Sequence, residues 1–154
     1  METENTTRLQ ELETSGFIVI PIKGVSMRPL LYTYKSHVMI EKLSGRPEIN
    51  DVVLYVRDDG TQVLHRIISF DGDVALIRGD NTYSLERVPL EKIKGVAKSF
   101  WRSGKENSRE ISVSDRSYKL YVRFWNFSYP LRKLIFRAKC KLRSIAKRII
   151  KKEN

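Results

Sequence analysis

Between Phe17 and Arg78 the chain carries five β-branched runs of six to eight residues: FIVIPI, HVMIEKL, DVVLYVR, VLHRIISF and DVALIR. Runs of this length and composition read as strands, because branched side chains suit a pleated surface and the segments are too short for stable helices. Turn chemistry separates them at Ser44-Gly45-Arg46-Pro47, Asp58-Asp59-Gly60 and Asp71-Gly72-Asp73. The last two turns predict consecutive hairpins linking VLYV to VLHRIISF to VALIR. A further strand is expected over Ile93–Trp101, with ISVS at 111–114 as its partner beyond a polar loop at 103–109. In front of the strands, residues 3–15 read as a short helix. Asn5 or Thr6 caps it, Leu9 and Leu12 share a face, and Gly16 ends it.

After Ser114 the period becomes helical. Tyr118, Tyr121, Val122 and Trp125 recur at helical spacing, and Pro130 breaks that helix and starts another. In the second helix Leu131, Leu134, Ile135, Ala138, Leu142, Ile145, Ala146 and Ile149 form one stripe, and Lys and Arg fill most of the rest. Charge follows the same division. The net charge is +11, yet residues 130–154 hold ten Lys/Arg and one Glu, while residues 1–129 hold nineteen basic and seventeen acidic side chains. The expected organisation is a helical segment at 1–15, a mainly β, antiparallel domain at 16–113, and a strongly basic, amphipathic helical extension at 114–154.

Several chemistries are excluded. Cys140 is the only cysteine, so neither a disulfide framework nor a Cys-based zinc site can be built. With only His37 and His65, an HExxH metalloprotease helix cannot be written, and no P-loop or GxGxxG occurs. No cofactor and no metal are expected. No run approaches the ~20 apolar residues of a membrane span. Phe17–Ile22 is too short and follows an acidic segment, unlike a signal peptide. The expectation is a cytoplasmic protein, peripheral on the inner face of a membrane if its tail attaches there. Cys140 is expected to be a buried or half-buried thiol.

Three short patterns carry candidate chemistry. In Gly24-Val25-Ser26-Met27-Arg28-Pro29, a Ser after a strand, with Gly two before it and Pro three after, sits where the backbone turns sharply. Such a turn exposes the hydroxyl and frees backbone N–H groups to hold an oxyanion; the plainer reading is a Ser that caps a turn. His65 lies inside a strand, between Leu64 and Arg66. It is either a satisfied structural histidine or a general base whose ordinary pKa of ~6.5 suits neutral pH. Arg66, next to it, either holds a nearby carboxylate or is a solvated strand residue. Gly79-Asp80-Asn81 follows the next strand. It is a common turn, but its carboxylate can reach an imidazole one strand away and fix its tautomer.

Ser, His and Asp in that order, separated by 39 and 15 residues, are together far more specific than any one of them. From about Ile18 to Ala97 the chain resembles the superfamily of signal peptidases and LexA-type self-cleaving repressors. The resemblance rests on GVSMRPLL, NDVVLY, LHRII, IRGDN and EKIKGVAKSF. It implies a coiled antiparallel sheet and serine endopeptidase activity with Ser26 as nucleophile. It also implies His65 as base, as in the signal peptidases of endoplasmic reticulum and archaeal type, where other branches use Lys. Gly24 stands where many signal peptidases have an oxyanion-donating Ser, so the hole would rest on backbone N–H groups around Ser26 and Gly24. The third member is Asp80 or Glu86, with Asp80 preferred because it sits nearer the fixed end of a strand. Asn50-Asp51 replaces Gly-Asp before VVLY, a harmless change because Asn tolerates a left-handed backbone.

The expected partner is a peptide or precursor protein bound as an extended strand. Known signal peptidases anchor through a helix ahead of the Ser, whereas the residues before Ser26 here are acidic and polar. A cytoplasmic or peripheral peptidase acting on a small precursor is therefore an open alternative to secretory signal removal. The tail has three readings: a helix packed on the β domain, a helix lying on an anionic membrane surface, or a nucleic-acid binder. Trp125, Arg132, Lys133, Arg137, Lys141 and Arg148 are the membrane-contact candidates, and membrane ranks above nucleic acid because a DNA-reading helix rarely needs so long an apolar stripe. Two rivals to the peptidase stand: a catalytically silent peptide-binding or regulatory protein of the same fold, and a basic protein that associates with membrane or nucleic acid.

Overall fold

The computed structural model describes residues 2–103 and 108–152, with side chains for 7–103, 108–138 and 140–142. It divides into two compact units, Met1–Lys119 and Leu120–Asn154. The first unit is a mainly antiparallel sheet preceded by a helix.

Helix α1 (Glu2–Ser15) stops at Gly16, whose φ of +80° lets its N–H return to Leu12 O at 3.1 Å. Among the described residues of this helix, Leu12 is the one that is fully buried. The strands are β1 (Phe17–Pro21), β2 (His37–Lys42), β3 (Val52–Val56), β4 (Gln62–Asp71), β5 (Val74–Arg78), β6 (Glu86–Pro89), β7 (Ile93–Trp101) and β8 (Glu110–Ser112). A 3₁₀ turn at Leu90–Lys92 joins β6 to β7. The sheet order is β1-β2-β7-β3-β4-β5-β6, all antiparallel, with β8 on the free end of β7. The two hairpins read from the turns are present as β3–β4 and β4–β5. Strand β6 is an addition that the sequence pattern did not signal: Glu86-Arg87-Val88-Pro89 is short, charged and proline-ended, and it forms as the edge of the sheet beside β5.

Register decides what each face carries, because side chains alternate with period 2. Val53 pairs with His65, and Ile77 pairs with both Ile67 and Glu86. One face therefore holds Val53, Tyr55, His65, Ile67, Ala75, Ile77 and Glu86. Val53, Tyr55, Ile67, Ala75, Ile77, Val88 and Ile93 make a buried cluster on it, each large apolar side chain contributing about 1.5–3 kcal/mol. The opposite face holds Val52, Arg66 and Arg78. A bulge interrupts β4–β5: Ile67 pairs with Ile77 and Ser69 with Leu76, so Ile68 has no opposite residue.

Helix α2 spans Arg116–Phe127 and α3 spans Tyr129–Lys152. In the second unit the hydrogen bonds Ser128 N to Phe124 O (2.9 Å) and Arg132 N to Ser128 O (3.0 Å) continue the α-helical pattern across the junction. Pro130 is the second residue of α3, where its missing N–H costs nothing. Cys140 is exposed, contrary to the expectation of a buried or half-buried thiol, because the described part of α3 around it covers little: Leu134 and Leu142 are exposed as well. Among the described residues no helix is long and apolar enough to cross a membrane.

Candidate active site

Ser26 sits in the sharp turn after β1. Gly24 has φ of +87°, a conformation that glycine adopts without strain, and Arg28 N closes the turn on Val25 O at 3.3 Å. Met27 is buried beneath it, while Ser26 is half-buried. Among the described residues neither the Ser26 hydroxyl nor the N–H groups of Ser26 and Met27 have a hydrogen-bond partner. The turn is held from the other side of the site. Asn81 donates its backbone N–H to Ser26 O at 2.7 Å and its side-chain amide to Val25 O at 3.2 Å.

Gly79 separates Ser26 from His65. A Cβ added to Gly79 would lie 3.0 Å from His65 Nε2, 3.0 Å from Ser26 Cβ and 2.7 Å from Ser26 O. Imidazole Nε2 and the Ser26 side chain are therefore no farther apart than twice that first distance. Both residues line a cleft of about 400 Å³, together with Lys23, Leu64, Thr82 and Glu86.

On the other side of the ring, Nδ1 of His65 is 3.2 Å from Tyr55 Oη and 3.5 Å from Glu86 Oε1. Tyr55 donates its hydroxyl proton to Glu86 Oε2 at 2.8 Å, so it meets Nδ1 as an acceptor. The neutral imidazole then carries its proton on Nδ1 and leaves Nε2, on the Ser26 side, unprotonated. Arg57 clamps Glu86 through Nε to Oε2 at 2.9 Å and Nη2 to Oε1 at 2.5 Å. Burial alone would raise the Glu86 pKa, but the hydrogen bonds from Arg57 and Tyr55 outweigh it and hold the carboxyl below its ordinary value. Burial lowers the His65 pKa, only partly offset by the nearby Glu86 charge. Burial and the bond to Glu86 push the Tyr55 pKa up, so the phenol keeps its proton.

Asp80 lies elsewhere than the sequence reading preferred. Its carboxylate takes two parallel bonds from Arg66, Nε to Oδ1 and Nη2 to Oδ2, each 2.8 Å. Arg66 is 1% and Asp80 4% exposed. Arg66 Nη1 also donates to Asn50 O at 2.8 Å and Tyr118 Oη at 2.9 Å. Asn50 adopts φ of +80°, the left-handed conformation anticipated for it. The carboxylate beside His65 Nδ1 is the alternative, Glu86. The cause is register: Arg66 pairs with Arg78, which sets Asp80 on the Arg66 face and Gly79 on the His65 face.

Tyr55 and Arg57 were not singled out from sequence. The signal was present in the β3–β4 hairpin, whose turn at Asp58-Asp59-Gly60 sets residues 53, 55 and 57 on the face of His65. His37 begins β2 and is half-buried. Among the membrane-contact candidates, Trp125 and Arg132 are half-buried and Lys133, Arg137 and Lys141 exposed, while the side chain of Arg148 lies outside the described residues. Among the described residues no group of three or more His, Cys, Asp or Glu could hold a metal ion.

A scan against protein-family models finds no match for this chain, and a search of curated proteins finds none either.

Proposed function

We propose that the protein is a serine endopeptidase of the signal-peptidase/LexA-like type, with the coiled sheet of that superfamily as its fold. Ser26 attacks the scissile carbonyl. His65 Nε2 takes the Ser26 proton and returns it to the leaving amine. Glu86, clamped by Arg57 and reached partly through Tyr55, orients His65 and stabilises the imidazolium as it forms. The N–H groups of Ser26 and Met27 are available for the oxyanion. Asp80 acts as a positioning residue: with Arg66 it holds the Gly79–Asn81 turn, and Asn81 in turn holds the Ser26 carbonyl.

The observation that carries this reading is that a Cβ added at Gly79 would lie 3.0 Å from both His65 Nε2 and Ser26 Cβ, in a cleft that both residues line. A substrate strand has a place to bind. Strand β5 pairs with β4 from Arg66 onward, so among the described residues Val63 and Leu64 have a strand neighbour only on the β3 side, and both line the cleft.

The test is labelling by a fluorophosphonate active-serine probe. Wild type is expected to label, and Ser26→Ala and His65→Ala are expected not to, with circular dichroism unchanged. Persistent labelling of Ser26→Ala, or an unlabelled wild type, overturns the reading.

A further inference from the structure

In the second unit the large exposed apolar side chains fall on one line. Leu120, Phe124, Phe127, Leu131 and Leu134 are all at least 62% exposed and follow one another at spacings of four, three, four and three residues. The α-helical bonds on either side of Ser128 keep α2 and α3 in phase, so the line does not break at the junction. Leu142 continues it, at 67% exposure. This four-three repeat draws one narrow apolar seam along a single helix face, a pattern typical of a face buried against something.

The flanks of the stripe are cationic and aromatic. Arg123, Arg137 and Lys141 are exposed beside it. On the other flank Tyr121 and Trp125 stack at 5.7 Å, and the Arg132 guanidinium lies 3.6 Å over the Trp125 ring. Residues 130–154 carry ten Lys/Arg against one Glu.

We infer that the α2–α3 face of Leu120–Leu142 lies in the surface of an anionic lipid bilayer, with the apolar stripe among the acyl chains and Lys and Arg at the headgroups. Charge selects this occupant. A second copy of the same helix would bring two arrays of like charge together, whereas an anionic surface gains roughly 1 kcal/mol for each Lys or Arg near it. Nucleic acid would satisfy the cations but leave Phe127, 87% exposed, and its neighbours in water. Trp and Tyr rings capped by Arg suit the headgroup level, where one end of a side chain is apolar and the other wet.

The test uses the full chain in sedimentation with phosphatidylcholine vesicles, with and without phosphatidylglycerol. Binding is expected to require phosphatidylglycerol. The double variant Phe127→Glu/Leu134→Glu is expected to weaken it by at least about tenfold, because two exposed apolar side chains lose their burial. Arg137→Gln/Lys141→Gln, which keeps the stripe, is expected to weaken it less and to reduce its salt dependence. Unchanged circular dichroism shows that the variants remain folded. No binding to anionic vesicles overturns the inference. So does binding indifferent to Phe127→Glu/Leu134→Glu, tighter binding to duplex DNA than to vesicles, or a dimer that dissociates in that variant.

Discussion

The hydroxyl of Tyr55 lies 3.2 Å from Nδ1 of His65, on the side of the ring away from Ser26. Its own proton goes to Glu86, so it couples the imidazole to a carboxylate without being one. Tyr55→Phe removes that acceptor, and the rate of labelling by the active-serine probe is expected to fall about tenfold to a hundredfold. Glu86→Gln should slow labelling further. It should also move the acid limb of the pH profile downward, because the Glu86 charge is what supports the His65 pKa. Unaltered rates and profiles in both variants would mean that this side of the ring does nothing for the chemistry.

Burial holds the His65 pKa below 6.5, so the imidazole is neutral at pH 7 and remains so in mild acid. Labelling should therefore stay level as pH falls to 6.5 and decline only below it. Folding stability carries the same sign. Below pH 6.5 the unfolded chain takes up a proton on His65 that the folded chain refuses until its lower pKa is reached, so stability falls across that window as pH falls. Urea titrations of wild type and His65→Gln at a series of pH values measure this. The prediction fails if both proteins show the same dependence there.

Gly79 lies between Ser26 and His65, and its missing side chain leaves the space between them open. In Gly79→Ala the new Cβ would press on a backbone carbonyl at 2.7 Å, which has little freedom to yield. Displacement of the order of an ångström at a reacting pair costs about a hundredfold. Labelling should drop by that much with the circular dichroism retained, and a rate equal to wild type would show that the two residues do not work together.

Arg66 and Asp80 form a buried, two-pronged ion pair. Arg66→Met strands the Asp80 charge and is expected to cost about 3–5 kcal/mol, a fall in Tm on the order of 10 °C. Arg66→Met/Asp80→Leu should regain part of the loss. Glu86→Gln, at a half-exposed site, should cost far less stability while costing more activity. Thermal melts of these variants separate the two carboxylates, and an Arg66→Met loss below about 1 kcal/mol would place the pair among weak surface bridges.

Much of the sheet was legible because its signals are local. The turns at Asp58-Asp59-Gly60 and Asp71-Gly72-Asp73 announce the hairpins, and Gly16 stops α1. The turn around Ser26 was readable from Gly24 and Pro29 for the same reason. Strand β6 was not legible, since its four residues gain strand geometry from the neighbouring β5 edge rather than from their own propensity.

The opening strand pattern by itself determined that β3, β4 and β5 would lie side by side, whereas the meeting of the Ser26 turn with the His65 strand was implied only by the resemblance, because three strands separate β1 from β4 in the sheet. Which carboxylate would face His65 was decided by the bulge at Ile68. Counted without interruption from the pair Asp71 and Val74, His65 would stand opposite Asp80. The unpaired Ile68 slips the register by one, so Gly79 comes opposite His65, Asp80 turns to Arg66, and Glu86 on β6 shares the imidazole's face. A single-residue slip exchanges the two faces of a strand because its side chains alternate with period 2, and no local propensity in VLHRIISF marks where such a slip occurs.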